Sequence, residues 1–191
     1  AIAWISKDFS IIADSGDNPT AGGVGDRADI LEEVLKQKIN KTLFAGIASK
    51  SSYEALIESN EFTLGGTYGG GGPTLKLKAD HVYFKNDCAV ASVSNTVVII
   101  TKLRRPFHNL KDFTDLKIDL KDFKTLIVKS GYLSPELQSL SAPTFMALTS
   151  GAVNQDIKGI ENNNRLQKIF PFQDFNDYSP VVSNGEHLIN Q

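Results

Sequence analysis

Short apolar runs rich in β-branched residues alternate along this chain with stretches whose apolar positions recur every three or four residues. Phe9 to Ala13 (FSIIA) is the first such run and reads as a buried strand. Ile30, Leu31, Val34 and Leu35 then recur at helical spacing, with Glu32, Glu33 and Lys36 on the opposite face. Asp26 is the predicted N-cap of that helix, and Asp29 adds negative charge to its first turn. Thr42 to Ile47 (TLFAGI) reads as a second buried strand. Strand, helix and strand in this span make a βαβ unit, which predicts that the two strands are parallel. Ser51 to Glu58 reads as a short helix.

The middle of the chain has a different texture. Phe62 to Leu64, Leu75 to Phe84, Ala89 to Val93 and Thr96 to Thr101 read as strands joined by turns such as Lys85-Asn86-Asp87 and Ser94-Asn95. Their close spacing predicts antiparallel hairpins. Leu75 to Asp80 alternates apolar with polar, as a half-exposed strand does. The last third returns to buried runs: Thr125 to Val128 (TLIV) and Phe145 to Leu148 are predicted strands. Between them Ser134-Pro135-Glu136 starts a helix, with Ser as cap and Pro at the first helical position. The expected fold class is α/β: a mixed sheet with βαβ elements and an antiparallel hairpin region in the middle. Residues 1–173 are expected to form one domain, and 174–191, which lack periodicity, an irregular C-terminal tail.

Composition narrows the function classes. Of 191 residues, 41% are apolar, enough for a core, and the net charge of −2 gives no electrostatic case for nucleic acid or an anionic membrane. No apolar run is long enough to cross a bilayer, and no signal-peptide pattern is visible. The single cysteine, Cys88, excludes an internal disulfide and fits a reducing, cytoplasmic location. The chain begins at Ala1 without a starting Met, which fits a fragment, a processed product or a trimmed chain.

Candidate chemistry gathers after the first strand. Asp14, Asp17, Asn18 and Asp26 crowd a loop that also holds Gly22, Gly23 and Gly25. The glycines allow close backbone approach, and the helix start that follows offers N–H groups to an anion. Neither a Walker A nor a dinucleotide fingerprint fits the spacing. The acids would bind a cation or a substrate amine, orient another group, or only cap local N–H groups. Lys129 and Ser130 follow the Thr125–Val128 strand. If that strand runs parallel to the first, both loops share one rim, where open α/β sheets bind ligands. Lys129 would there pair with a substrate carboxylate or with the loop acids; a surface ion pair is the plainer alternative. The Gly65–Pro73 glycine cluster reads as a hairpin connection. His81, His108 and His187 stand far apart, and no metal-ligand spacing or nucleophile motif is present.

The run Asp14 to Asp26 (DSGDNPTAGGVGD) resembles the D-x-x-D-N-P-x-x-G-x-x-G-D signature of the MlrC-like family, in its C-terminal domain. Leu64-Gly65-Gly66, Leu126-Ile127-Val128-Lys129-Ser130, Leu148-Thr149-Ser150-Gly151-Ala152 and Ile169-Phe170-Pro171-Phe172 resemble further family segments in the expected order. The resemblance implies a two-domain, zinc-dependent peptidase or amidohydrolase whose zinc ligands lie in an N-terminal domain outside this chain. It implies no catalytic or metal-binding residue here, and no cofactor held by this chain. Asp14, Asp17, Asn18, Gly22, Gly23, Gly25, Asp26, Lys129 and Ser130 would then face a peptide or amide substrate across from that zinc domain, the chain's own partner. The alternative is a non-catalytic module that holds a small ligand or anion on the glycine loop and helix N-terminus.

Overall fold

The computed structural model describes residues 9–161 and 170–172. Of these, residues 9–155 form one compact unit, and those from Asp156 onward belong to a second. In the second unit, Ile157–Gly159 form a 3-10 turn capped by the Asp156 carboxylate. The expected tail 174–191, with His187, lies outside the described residues.

The first unit is built on strands β1 (Ser10–Asp14), β2 (Thr42–Ala48), β3 (Glu61–Leu64), β4 (Leu75–Lys78), β5 (His81–Lys85), β6 (Cys88–Val93), β7 (Thr96–Thr101), β8 (Thr125–Lys129) and β9 (Thr144–Ala147). Its helices are α1 (Asp29–Lys36), α2 (Lys50–Glu58), α3 (Leu110–Thr114) and α4 (Pro135–Gln138). Seven strands form a mixed sheet in the order β5-β6-β7-β2-β8-β1-β9, and β3 with β4 forms a small antiparallel sheet. From β7 to β9 all neighbours are parallel, while β5, β6 and β7 make the antiparallel hairpins that the close spacing predicts.

Every residue of β1, β2 and β8 is buried, which their unbroken apolar runs require of strands covered on both faces. Alternation sends Ile12, Phe44 and Ile127 to one face, where Ile30, Leu31 and Val34 of α1, Tyr53 and Leu56 of α2, and Phe62 and Leu64 of β3 cover them. Ile11, Leu43, Leu126 and Val128 point to the other face, under Phe113 of α3, Leu137 of α4 and the loop residue Phe107. Each large side chain buried in this way contributes about 1.5–3 kcal/mol.

β1 and β2 are parallel, as expected, and β8 lies between them. Two sequence expectations are corrected. The expected strand Leu75–Phe84 breaks at Ala79-Asp80 into β4 and β5, which belong to different sheets. Asp26 does not cap α1: the N-cap position is Ala28, with no side-chain bond, and Asp26 serves a distant loop instead.

Candidate functional site

Five parallel strands end on the same edge of the sheet, and their following loops are tied into one rim. The Asp14 carbonyl accepts from Ser130 N at 3.0 Å, and Ser15 N donates to the Ala147 carbonyl at 3.1 Å. The Gly25 carbonyl accepts from Ala48 N at 2.7 Å, and Ser49 N reaches the Thr101 carbonyl at 2.8 Å. Arg104, after β7, donates through Nη1 to the Gly23 carbonyl at 3.3 Å. The two loops expected to share a rim therefore do so.

At the centre of the rim, Lys129 is buried and fully satisfied. Its Nζ donates to Asp14 Oδ2 and Asp17 Oδ2, each at 3.0 Å, and to the Arg27 carbonyl at 2.8 Å. An ammonium has three N–H groups, so none is left over. The side chains of Lys129, Asp14 and Asp17 are 1%, 3% and 2% exposed. The surface ion pair considered for Lys129 is thus replaced by an interior one. Thr149 Oγ1 donates to Asp14 Oδ1 at 2.5 Å, and Gly16 N donates to Thr149 Oγ1 at 3.0 Å. One interaction set joins β1, β8, the approach to α1 and the loop after β9.

Asp17 also shapes its own loop. Gly25 N donates to its Oδ1 and Arg27 N to its Oδ2, both at 2.8 Å. These N–H groups precede α1, so the chain's own carboxylate occupies part of the glycine loop. Gly23 folds back under the turn, where a Cβ would lie 2.6 Å from the Asp17 carbonyl carbon and 2.7 Å from the Asn18 oxygen, too close for any side chain. Gly22 and Gly25 have φ of +104° and +81°. Thr20, Ala21 and Gly22 form the exposed tip of the loop.

Asp26 is fully buried and reaches the glycine-rich β3–β4 connection. Its Oδ2 accepts from Tyr68 N at 2.5 Å and Gly70 N at 3.4 Å; its Oδ1 has no hydrogen-bond partner among the described residues. The Tyr68 hydroxyl accepts from Lys50 N at 3.0 Å and donates to the Lys102 carbonyl at 2.6 Å, which fastens the connection to the ends of β2 and β7. Arg27 braces the same connection through Nη1 to the Gly70 carbonyl at 2.9 Å. Its bonds to Asp29, at 2.9 and 2.8 Å, raise the guanidinium pKa further above its ordinary value. Ser130 donates through Oγ to the Tyr132 carbonyl at 2.5 Å, within its own turn.

Sequence reasoning missed Arg27, Tyr68 and Thr149. Thr149 stood in a segment matched to the family's closing T-x-G, a usable signal. Arg27 and Tyr68 act through backbone carbonyls far away in sequence, which no local pattern encodes.

The family profile described as MlrC C-terminus matches residues 12–164. The chain belongs to that family. A crystal structure described as "Putative metallopeptidase from Mesorhizobium sp. BNC1" is similar to it, with a TM-score of 0.68 at 16% identity. The likeness takes in 93% of this chain and 40% of that one, so the chain spans two fifths of that protein's length. No curated protein matches. The rim described above lies within the residues that match this profile.

The zinc that the family resemblance implies does not fit this rim. Asp14 and Asp17 already surround a cation, the Lys129 ammonium, and their remaining oxygen is taken by Thr149 Oγ1 and by Gly25 N. Among the described residues no group of His, Cys, Asp and Glu is arranged to hold a metal ion.

Proposed function

We propose that this chain is the C-terminal domain of a zinc-dependent peptidase or amidohydrolase, and that its rim forms one wall of the substrate cleft. The observation that carries this reading is the rim itself. Loops from five parallel strands meet on one edge and are fixed by a buried ion cluster, in a chain whose family profile is MlrC C-terminus. Ligands of open α/β sheets sit at such an edge. The metallopeptidase likeness, over two fifths of a longer chain, supports a parent with a further domain.

In this reading the rim residues divide their work. Asp14, Asp17 and Lys129 act on substrate through the loop they hold. Gly23 and Gly25 give the loop its path, and Asp26 sets the glycine connection beside it. Asn18 and Gly22 meet the peptide or amide substrate, with Ser130 shaping the adjoining turn. The metal and the catalytic groups belong to the parent's N-terminal domain, this chain's partner. The buried free thiol of Cys88 suits a reducing cytoplasm. Among the described residues no helix is long and apolar enough to cross a membrane.

The test compares the 191-residue chain with the full-length parent. Full-length protein should show zinc-dependent, chelator-sensitive amide hydrolysis, and the chain alone should show none. Ala21→Trp, at the exposed tip of the loop, should raise KM in the parent without lowering Tm. Hydrolysis by the chain alone, or an unchanged KM in the variant, would sink the proposal.

A further inference from the structure

A groove of about 500 Å³ opens on the rim between the start of α2, the β5–β6 turn and the loop that leaves β7. Lys50, Lys102, Arg104 and Arg105 line it, and of its described lining residues only Asp87 is acidic. Three of the cations have an acid close by. Lys102 Nζ lies 2.8 Å from Asp87, Arg105 Nη2 2.6 Å from Asp112, and Lys50 Nζ 3.7 Å from Glu54. Arg104, which is exposed, has no acidic partner among the described residues. Four cations against three carboxylates leave one positive charge in excess. The start of α2 adds to it, because no acid in the first turn offsets the partial positive charge there.

Arg104 joins this groove to the glycine loop. Its Nη1 donates to the Gly23 carbonyl at 3.3 Å, and its Cβ lies 3.6 Å from where a Cβ on Gly25 would stand. That one bond anchors the side chain and leaves four of the five guanidinium N–H groups for a ligand. A planar fork of this kind pairs with a carboxylate through two parallel N–H···O bonds. Leu103, 75% exposed beside it, gives the groove an apolar lip. The volume is that of a small-ligand site. An excess of one positive charge matches a monoanion better than a phosphate dianion.

We infer that this groove binds a carboxylate-bearing ligand, with Arg104 pairing with the carboxylate and Leu103 packing on the apolar part beside it. The inference rests on the cleft reading above and adds to it the charge of the substrate, an acidic group held on the β7 side of the glycine loop. Lys50, Lys102 and Arg105 act through the field they maintain, since each already has an acid beside it. Arg104 touches the ligand itself, and its bond to Gly23 ties the occupied groove to the loop that meets the rest of the substrate.

The experiment is an amide titration of the uniformly 15N-labelled chain with N-acetylleucine, N-acetylleucinamide and inorganic phosphate, each to about 50 mM, a range suited to such small probes. N-acetylleucine should shift the backbone N–H signals of Ser51, Leu103 and Arg104 saturably, and its neutral amide should not. Arg104→Gln removes the charge and the fork, and should weaken that binding at least about tenfold. Asp87→Asn removes the acid from the lining, at a residue whose φ of +58° Asn accepts, and should tighten binding about twofold or more. A gain of this kind cannot come from misfolding, so the test stays decisive if Arg104→Gln loosens the loop. An equal response to the neutral amide, tighter binding of phosphate, or unchanged binding in both variants overturns the inference. Shifts confined to Thr20, Ala21 and Gly22 overturn the groove and leave the cleft standing. No shift anywhere overturns the carboxylate site alone, because the cleft is judged separately, by the KM of Ala21→Trp in the parent.

Discussion

Lys129 shows how a long polar side chain is accommodated in an interior. Its aliphatic stem follows a strand whose residues are all buried, and its ammonium, 5.6 Å from the centre of the Phe44 ring, ends among three acceptors. Removing the cation would leave two carboxylates facing each other out of water. Lys129→Met should cost about 3–5 kcal/mol, read as a lower urea midpoint with an unchanged m-value. Adding Asp14→Asn and Asp17→Asn should recover part of that loss, because the charges that need pairing are then gone. Cys88 makes a second case at this scale. It is 1% exposed, and burial raises its thiol pKa above the ordinary 9.0. The native state thus favours the neutral thiol, and the unfolded chain ionises first as pH rises. This contribution is complete below the ordinary thiol range and is lost as pH climbs towards the folded value. Two measurements follow: a disulfide reagent at pH 8 should leave Cys88 untouched until urea is added, and Cys88→Ala should flatten the alkaline fall in stability.

At the scale of elements, legibility followed the range of the forces involved. β1, β2 and β8 were readable because strands buried on both faces need unbroken apolar runs, and α4 because Ser134 and Pro135 act locally. Ser134 Oγ accepts from Leu137 N at 3.4 Å and also donates to the His108 carbonyl. Ser134→Ala should therefore cost about 1 kcal/mol or slightly more, measured by thermal or urea unfolding. The break between β4 and β5 was not readable, since the alternation through Leu77-Lys78-Ala79-Asp80 continues while the chain changes sheets. Asp26 was misread for a related reason. A carboxylate before a helix is a good local cap, but here the N–H groups of Tyr68 and Gly70, more than forty residues away, took it.

For the whole molecule, the family and the presence of a rim were legible in the Asp14–Asp26 run, because that run is contiguous. How the rim is assembled was not. Thr149, Arg27 and Tyr68 reach it from three separate segments, and only the strand order brings them together. The sheet is also divided by function. Its parallel half carries the rim, while β5 and β6 extend the other edge as a meander whose turn residue Asp87 pairs with Lys102 beside it.

The position of β8 also sets a timetable for folding. β1 and β2 leave the ribosome early, but neither pairs with the other. β2 can pair with β7 beforehand, but β1 waits for a strand centred more than a hundred residues further on, as the 115-residue separation of Lys129 from Asp14 shows. Closing so long a loop before β1 gains any pairing makes for slow folding and a prolonged interval with apolar strand edges uncovered. A chain ending at Asp122 retains about two thirds of the sequence and should show no cooperative unfolding transition. Extension to Gln155 should restore one in a single step. Nascent chains stalled before Thr125 emerges should accordingly be the ones that chaperones bind and proteases cut.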